Sequence, residues 1–127
     1  MKFTDFIKSR EDLFSNLEVA LYKEFERSVL FRGNMILVPI ENAENFVKRL
    51  RDSLLAVAGI EVFKDSDAGL TPVDISDYSE SEASSWKDFQ LESIRLSLEF
   101  LKIQNNSEKV FLEFTLIRES EWRDSEG

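Results

Sequence analysis

The sequence contains no cysteine and no histidine. The first absence excludes a disulfide framework, thiolate catalysis and the usual structural zinc sites. The second removes the commonest general base at neutral pH, the histidine-based triads and the commonest metal ligand. Only four glycines occur, and they form no P-loop or dinucleotide-binding pattern. No apolar run approaches the roughly 20 residues that a bilayer-spanning helix needs. Met1-Lys2-Phe3-Thr4-Asp5-Phe6 leads at once into a mixed-charge segment, so no secretory signal is expected. Positive charge is also scarce. The 16 Lys and Arg are outnumbered by 25 Asp and Glu, for a net charge of −9 at pH 7. Such a field repels nucleic acid and anionic lipid, which need a basic footprint, and it attracts basic proteins. A cytoplasmic protein with no cofactor, no metal and no enzymatic activity is the expectation from these absences.

What is present is material for one folded domain. The chain has 127 residues, 43% of them hydrophobic, and eleven Phe supply bulky core side chains. A chain of this size can hide roughly two-thirds of the surface it exposes unfolded. No internal repeat occurs, and no composition shift divides residues 1–127 into two domains.

From Thr4 to about Arg32 the apolar pattern is helical, through Phe6, Leu13, Leu17, Leu21 and Phe25. Ser9 followed by Asp12 suggests a capping box, and Gly33 suits the residue that closes a helix. A competing pattern makes Ser28–Phe31 a strand that turns through Gly33-Asn34 into Met35–Ile40; the helix to Gly33 is the favoured reading. Met35–Ile40 is apolar and short, a buried strand whose Pro39 places its end near an edge. Asn42 then caps a helix with one apolar stripe, Phe46, Val47, Leu50, Leu54 and Val57, closed by Gly59. Ile60-Glu61-Val62-Phe63 comes next as a strand, which makes a strand–helix–strand unit.

Between about 65 and 85 the chain becomes acidic. Asp65, Asp67, Asp74, Asp77, Glu80 and Glu82 have no balancing Lys or Arg, and Gly69, Pro72 and several Ser lie among them. This predicts a long acidic loop. Past Trp86, Ile94, Leu96, Leu98 and Phe100 alternate with polar residues, as do Val110, Leu112, Phe114 and Leu116. The turn-forming segment Gln104–Lys109 between them predicts an antiparallel hairpin; the alternative, a helix through Leu91, Ile94, Leu98 and Leu101, would leave Leu96 and Phe100 off its face. Residues 119–127 read as a polar tail carrying Trp122. The expected fold is α+β: two main helices packed on a small mixed sheet that ends in the hairpin.

Asp65-Ser66-Asp67-Ala68-Gly69 has the opening of a calcium loop, but Gly69 stands where a third ligand belongs. Ser76 stands where a bidentate Glu is required, so no metal site is expected. Lys48, Arg49 and Arg51 form a solvated helix face without interleaved aromatics, unlike a nucleic-acid groove. Tyr78 and Trp86 bracket the acidic stretch. Rings beside carboxylates suit an interface with a basic protein, the acids steering and the rings anchoring. The expected binding residues are Asp65, Asp67, Asp74, Asp77, Tyr78, Glu80, Glu82 and Trp86. The function this points to is a small inhibitor of a basic toxin or nuclease, of the immunity-protein kind. The alternative is an acidic chaperone or assembly subunit acting as a homodimer.

Overall fold

The computed structural model describes residues 1–78, 82–104 and 109–126. The N-terminal helical pattern breaks where Ser9 turns its hydroxyl onto the Asp5 and Phe6 carbonyls. This ends α1 (Phe3–Lys8). A second helix, α2 (Asn16–Lys23), starts at Ser15, whose Oγ accepts from the Glu18 amide while Glu18 accepts from the Ser15 amide. The capping box therefore lies six residues beyond the expected Ser9, because reciprocal capping of both amides needs Glu at the third position.

Residues 28–34 adopt the competing strand-and-turn pattern. Leu30–Arg32 forms β1 and turns through Gly33-Asn34 into β2 (Met35–Pro39), with Arg32 opposite Met35. Gly33 takes φ +57°, the conformation a two-residue hairpin turn demands at its first position. The expected helix to Gly33 is corrected accordingly. Pairing of β1 with β2 outweighs the weak helical preference of Val29-Leu30-Phe31.

Helix α3 (Ile40–Arg49) buries Ile40, Ala43, Phe46 and Val47, then tightens into a single 3-10 turn, Leu50–Asp52. It starts directly after Pro39, two residues before the expected cap at Asn42. Leu54 is exposed, and the next strand, β3 (Leu55–Ser66), is twice the expected length or more. The predicted acidic loop is mostly a hairpin: β3 reverses into β4 (Gly69–Asp77), and Gly69 at φ +101° closes the turn. Alternation was hidden there because β4 is an edge strand with little to bury.

The largest correction concerns the expected hairpin. Residues 94–100 lie inside α4 (Trp86–Lys102), and only β5 (Val110–Arg118) is a strand. The buried stripe of α4 is Phe89, Gln90, Ser93, Ile94 and Ser97. Three of those five are polar and hydrogen-bonded, so hydropathy concealed the helical face. Residues 119–126, expected as a tail, form α5 (Glu119–Glu126).

The strands are ordered β1-β2-β5-β3-β4, and every neighbouring pair is antiparallel. The sheet is thus not mixed. Strands β2 and β3 run parallel to each other, but β5 lies between them. The strand–helix–strand unit is split, and α3 carries the chain across a gap that the last strand fills. The fold is α+β, with five α-helices among the described residues.

The main core lies on one sheet face. Phe46 of α3 sits 4.8 Å from Phe114 of β5 and 5.2 Å from Tyr22 of α2, between ring centroids. Phe6 of α1 stacks on Phe31 of β1 at 4.4 Å. Val110, Leu112, Phe114 and Leu116 all point to this face, as their period-two pattern implies. Burial of each such side chain contributes about 1.5–3 kcal/mol. A second cluster, Ala56, Phe89 and Trp122, closes the end of the sheet where β3 begins.

Candidate site on the uncovered face of the sheet

Alternation along β5 sends Phe111, Glu113, Thr115 and Ile117 to the reverse face. A bulge at Ala58 shifts the phase of β3, so Gly59, Glu61 and Phe63 share that face. Register then builds two rows across three strands. Glu113 lies directly opposite Glu61, and Glu61 opposite Ile75. Thr115 lies opposite Gly59, and Gly59 opposite Asp77. These residues line a shallow depression of about 280 Å³.

The two ends of the reverse face are closed differently. At one end Ile117 packs on the Ala56–Phe89–Trp122 cluster. At the other lie Leu37 and Phe63, both buried, and Arg32 reaches across to Asp65 at 3.5 Å. The middle has no such cover among the described residues. Ile75 is 69% exposed, and Thr115 and Asp77 are also exposed. Gly59 leaves the floor low in the middle of the second row, and a Cβ there would meet the Ser76 carbonyl at 3.2 Å.

The electrostatics of this face are unbalanced. Glu61 and Glu113 are half-buried, and neither takes part in an ion pair among the described residues. Burial, and then the neighbouring Glu61 charge, push the Glu113 carboxyl above its ordinary range. Like charges directly opposite on paired strands are destabilising. Glu18 is also pushed up, chiefly by burial, although its bonds with Ser15 oppose the shift. Some surface acids elsewhere are paired: Arg49 grips Glu24 with two bonds of 2.9 and 3.0 Å, and Lys48 pairs with Glu44.

The residues expected from sequence are scattered around this face. Asp77 lies on it, and Asp65 lies at its closed end, held by Arg32. Asp67 is exposed in the β3–β4 turn. Asp74 points to the helix side, where it accepts from Gln104 Nε2 at 3.0 Å. Tyr78 is buried in the main core, its amide donating to the Ala58 carbonyl at 2.8 Å. Trp86 is half-buried against Phe89 and Trp122, with centroids 6.0 and 6.1 Å away. Glu82 is exposed, and Glu80 lies outside the described residues. The two rings expected to anchor a partner are therefore packed inward. Glu61 and Glu113 were missed, although each occupies the polar phase of an alternating strand. That phase names a face; it does not say which strand lies alongside.

Chemically, a pair of half-buried carboxylates on an open surface offers acceptors for guanidinium or ammonium groups. Among the described residues, no three or more His, Cys, Asp or Glu side chains converge as metal ligands. A groove of about 510 Å³ between α3 and α4 is lined by residues of both signs, including Glu41, Glu44, Lys48 and Lys102. It has no charge preference comparable to that of the sheet face. No helix is long and apolar enough to cross a membrane among the described residues. No family model, no curated protein and no solved structure matches this chain.

Proposed function

We propose that the protein is a small binding inhibitor of a basic protein, such as a toxin or nuclease neutralised inside the cell by an immunity protein. It acts by occupying its partner and catalyses nothing. The observation that supports this is the distribution of acids. Asp65, Asp67, Asp74 and Asp77 lie along one projecting hairpin with no Lys or Arg among them. On one face of the sheet, uncovered among the described residues, Glu61 of the same hairpin and Glu113 of β5 add two more. An excess of acids of this kind raises the encounter rate with a basic partner and repels nucleic acid. Ile75 is an exposed apolar residue on the same face, and it takes the anchoring part in place of the buried Tyr78 ring.

A second reading, an acidic homodimeric chaperone or assembly subunit, draws on the free edge of β4, where Val73 is 54% and Ile75 69% exposed. Pro72 and the register shift opposite it interrupt that edge, as protected edges are interrupted. Self-pairing would also bring like charges of two hairpins together.

The test starts with capture of the partner from native cells by the tagged chain, followed by identification. Association is then measured for the wild type and for Asp67→Asn/Asp74→Asn/Asp77→Asn at low and physiological salt. Slower association with a flatter salt dependence is expected, because peripheral charges act mainly on the on-rate. A partner without basic character, or equal rates at every salt, contradicts the inhibitor reading. A self-dimer in sedimentation, with no foreign partner, favours the second.

A further inference from the structure

The reverse face of the sheet combines three features that its own fold leaves unanswered. Among the described residues, it is an uncovered surface on an otherwise helix-packed sheet. It presents Glu61 directly opposite Glu113 with no cation among the described residues to balance them. It sets Ile75, exposed and apolar, next to Glu61 in the same row. We infer that this face is the docking surface for an Arg- or Lys-bearing segment of the basic partner. One cationic side chain enters between Glu61 and Glu113, and an apolar neighbour rests on Ile75. The inference rests on the reading of the protein as a binder of a basic protein, and it names the surface and the chemistry recognised.

Charge complementarity selects this occupant. Cross-strand Cβ atoms lie about 4.5–5.5 Å apart, so one guanidinium can reach both carboxylates and donate to each in its planar fork. Binding places a cation where two carboxylates lie directly opposite each other, a pairing that is destabilising in the isolated protein. Local disagreement between neighbouring residues of this kind is characteristic of functional surfaces. Gly59 keeps the floor beside the pair free of a side chain, so an extended segment can lie close. A second copy of the chain fits poorly, since it would lay one acidic face on another.

The experiment uses the full isotope-labelled chain and, as probe, a short peptide alternating arginine and valine, with a glutamate–valine peptide as control. Amide shifts are monitored by NMR for the wild type, for Glu61→Gln/Glu113→Gln and for Glu41→Gln/Glu44→Gln. The last variant removes the same charge from the exposed face of α3. The arginine peptide is expected to bind saturably, with shifts centred on Gly59–Glu61, Ile75–Asp77 and Glu113–Thr115. The sheet variant should bind about tenfold more weakly and the helix variant almost unchanged. Equal weakening in both variants, no weakening in the sheet variant, or shifts centred elsewhere would overturn the assignment. So would a self-dimer that the sheet substitutions disperse. Retained folding of the variants is checked by their thermal melts. The inhibitor reading is judged separately, by whether a basic partner is captured from cells: a partner that binds the sheet variant as tightly as wild type removes this surface and leaves that reading standing.

Discussion

Trp122 of α5 stacks on Phe89 of α4, with ring centroids 5.8 Å apart and planes inclined by 24°. Helix α5 is thereby tied to the start of α4, and Ala56 of β3 completes the cluster. In a segment that reads as polar along its length, Trp122 is only 8% exposed.

Trp122→Ala should therefore destabilise the fold by about 3–5 kcal/mol, the usual range for removing a buried large aromatic. Urea unfolding monitored by circular dichroism measures this directly. Trp122→Phe should recover much of the loss, because it keeps a ring against Phe89. An Ala variant with an unchanged midpoint would mean that α5 is peripheral.

Gln90 organises the joint between α4 and the strand beginning at Leu55. The two N–H groups of its Nε2 are shared among the carbonyls of Leu50, Ser53 and Leu55, at 3.0, 2.8 and 2.9 Å, from a position 2% exposed. Gln90→Leu keeps a similar volume and removes the donors. The Leu50 carbonyl keeps the Ser53 hydroxyl and amide as donors, but a buried acceptor left unsatisfied costs about 1–3 kcal/mol, so this substitution should destabilise in spite of its greater hydrophobicity. Denaturant titration is the check, and a stabilised variant would show that these bonds contribute nothing net.

Glu113 makes stability depend on pH with a definite sign. Its carboxyl is raised in the folded state, by burial first and by Glu61 second, from an ordinary value of 4.5. The folded protein therefore binds that proton more readily than the unfolded chain does, and stability from this group falls as pH rises through and above that value. Glu113→Gln should be more stable than wild type near neutrality by about 0.2–1 kcal/mol, the scale of a cross-strand pair. The difference should vanish below about pH 4, where an ordinary glutamate is already protonated. Thermal melts of both proteins across that range test it. Because Glu18 is raised too, the comparison between the two proteins, and not the wild-type profile alone, isolates Glu113. A difference independent of pH would remove the electrostatic explanation.

Much of the molecule was legible where local pattern and tertiary role coincide. Phe46 and Val47 fall on the buried face of α3, and Val110 to Leu116 alternate on β5, because each element presents one face to the same core. The net charge and the lack of Cys and His were read directly from composition, and with them the kinds of chemistry this chain has no side chains to perform. Other features depended on contacts between distant residues. The buried side of α4 contains Ser93, whose Oγ accepts from the Val57 amide, and Ser97, whose hydroxyl returns to the Ser93 carbonyl. Polar atoms satisfied in this way look solvent-facing in a sequence, which is why α4 resembled a strand. Glu61 and Glu113 each announced only that they share a face with other polar positions. Their meeting was decided by β5 entering between β2 and β3 and by the bulge at Ala58, which together set the register. Strand order and register arise from packing among residues far apart in the chain, and no local pattern carries that information.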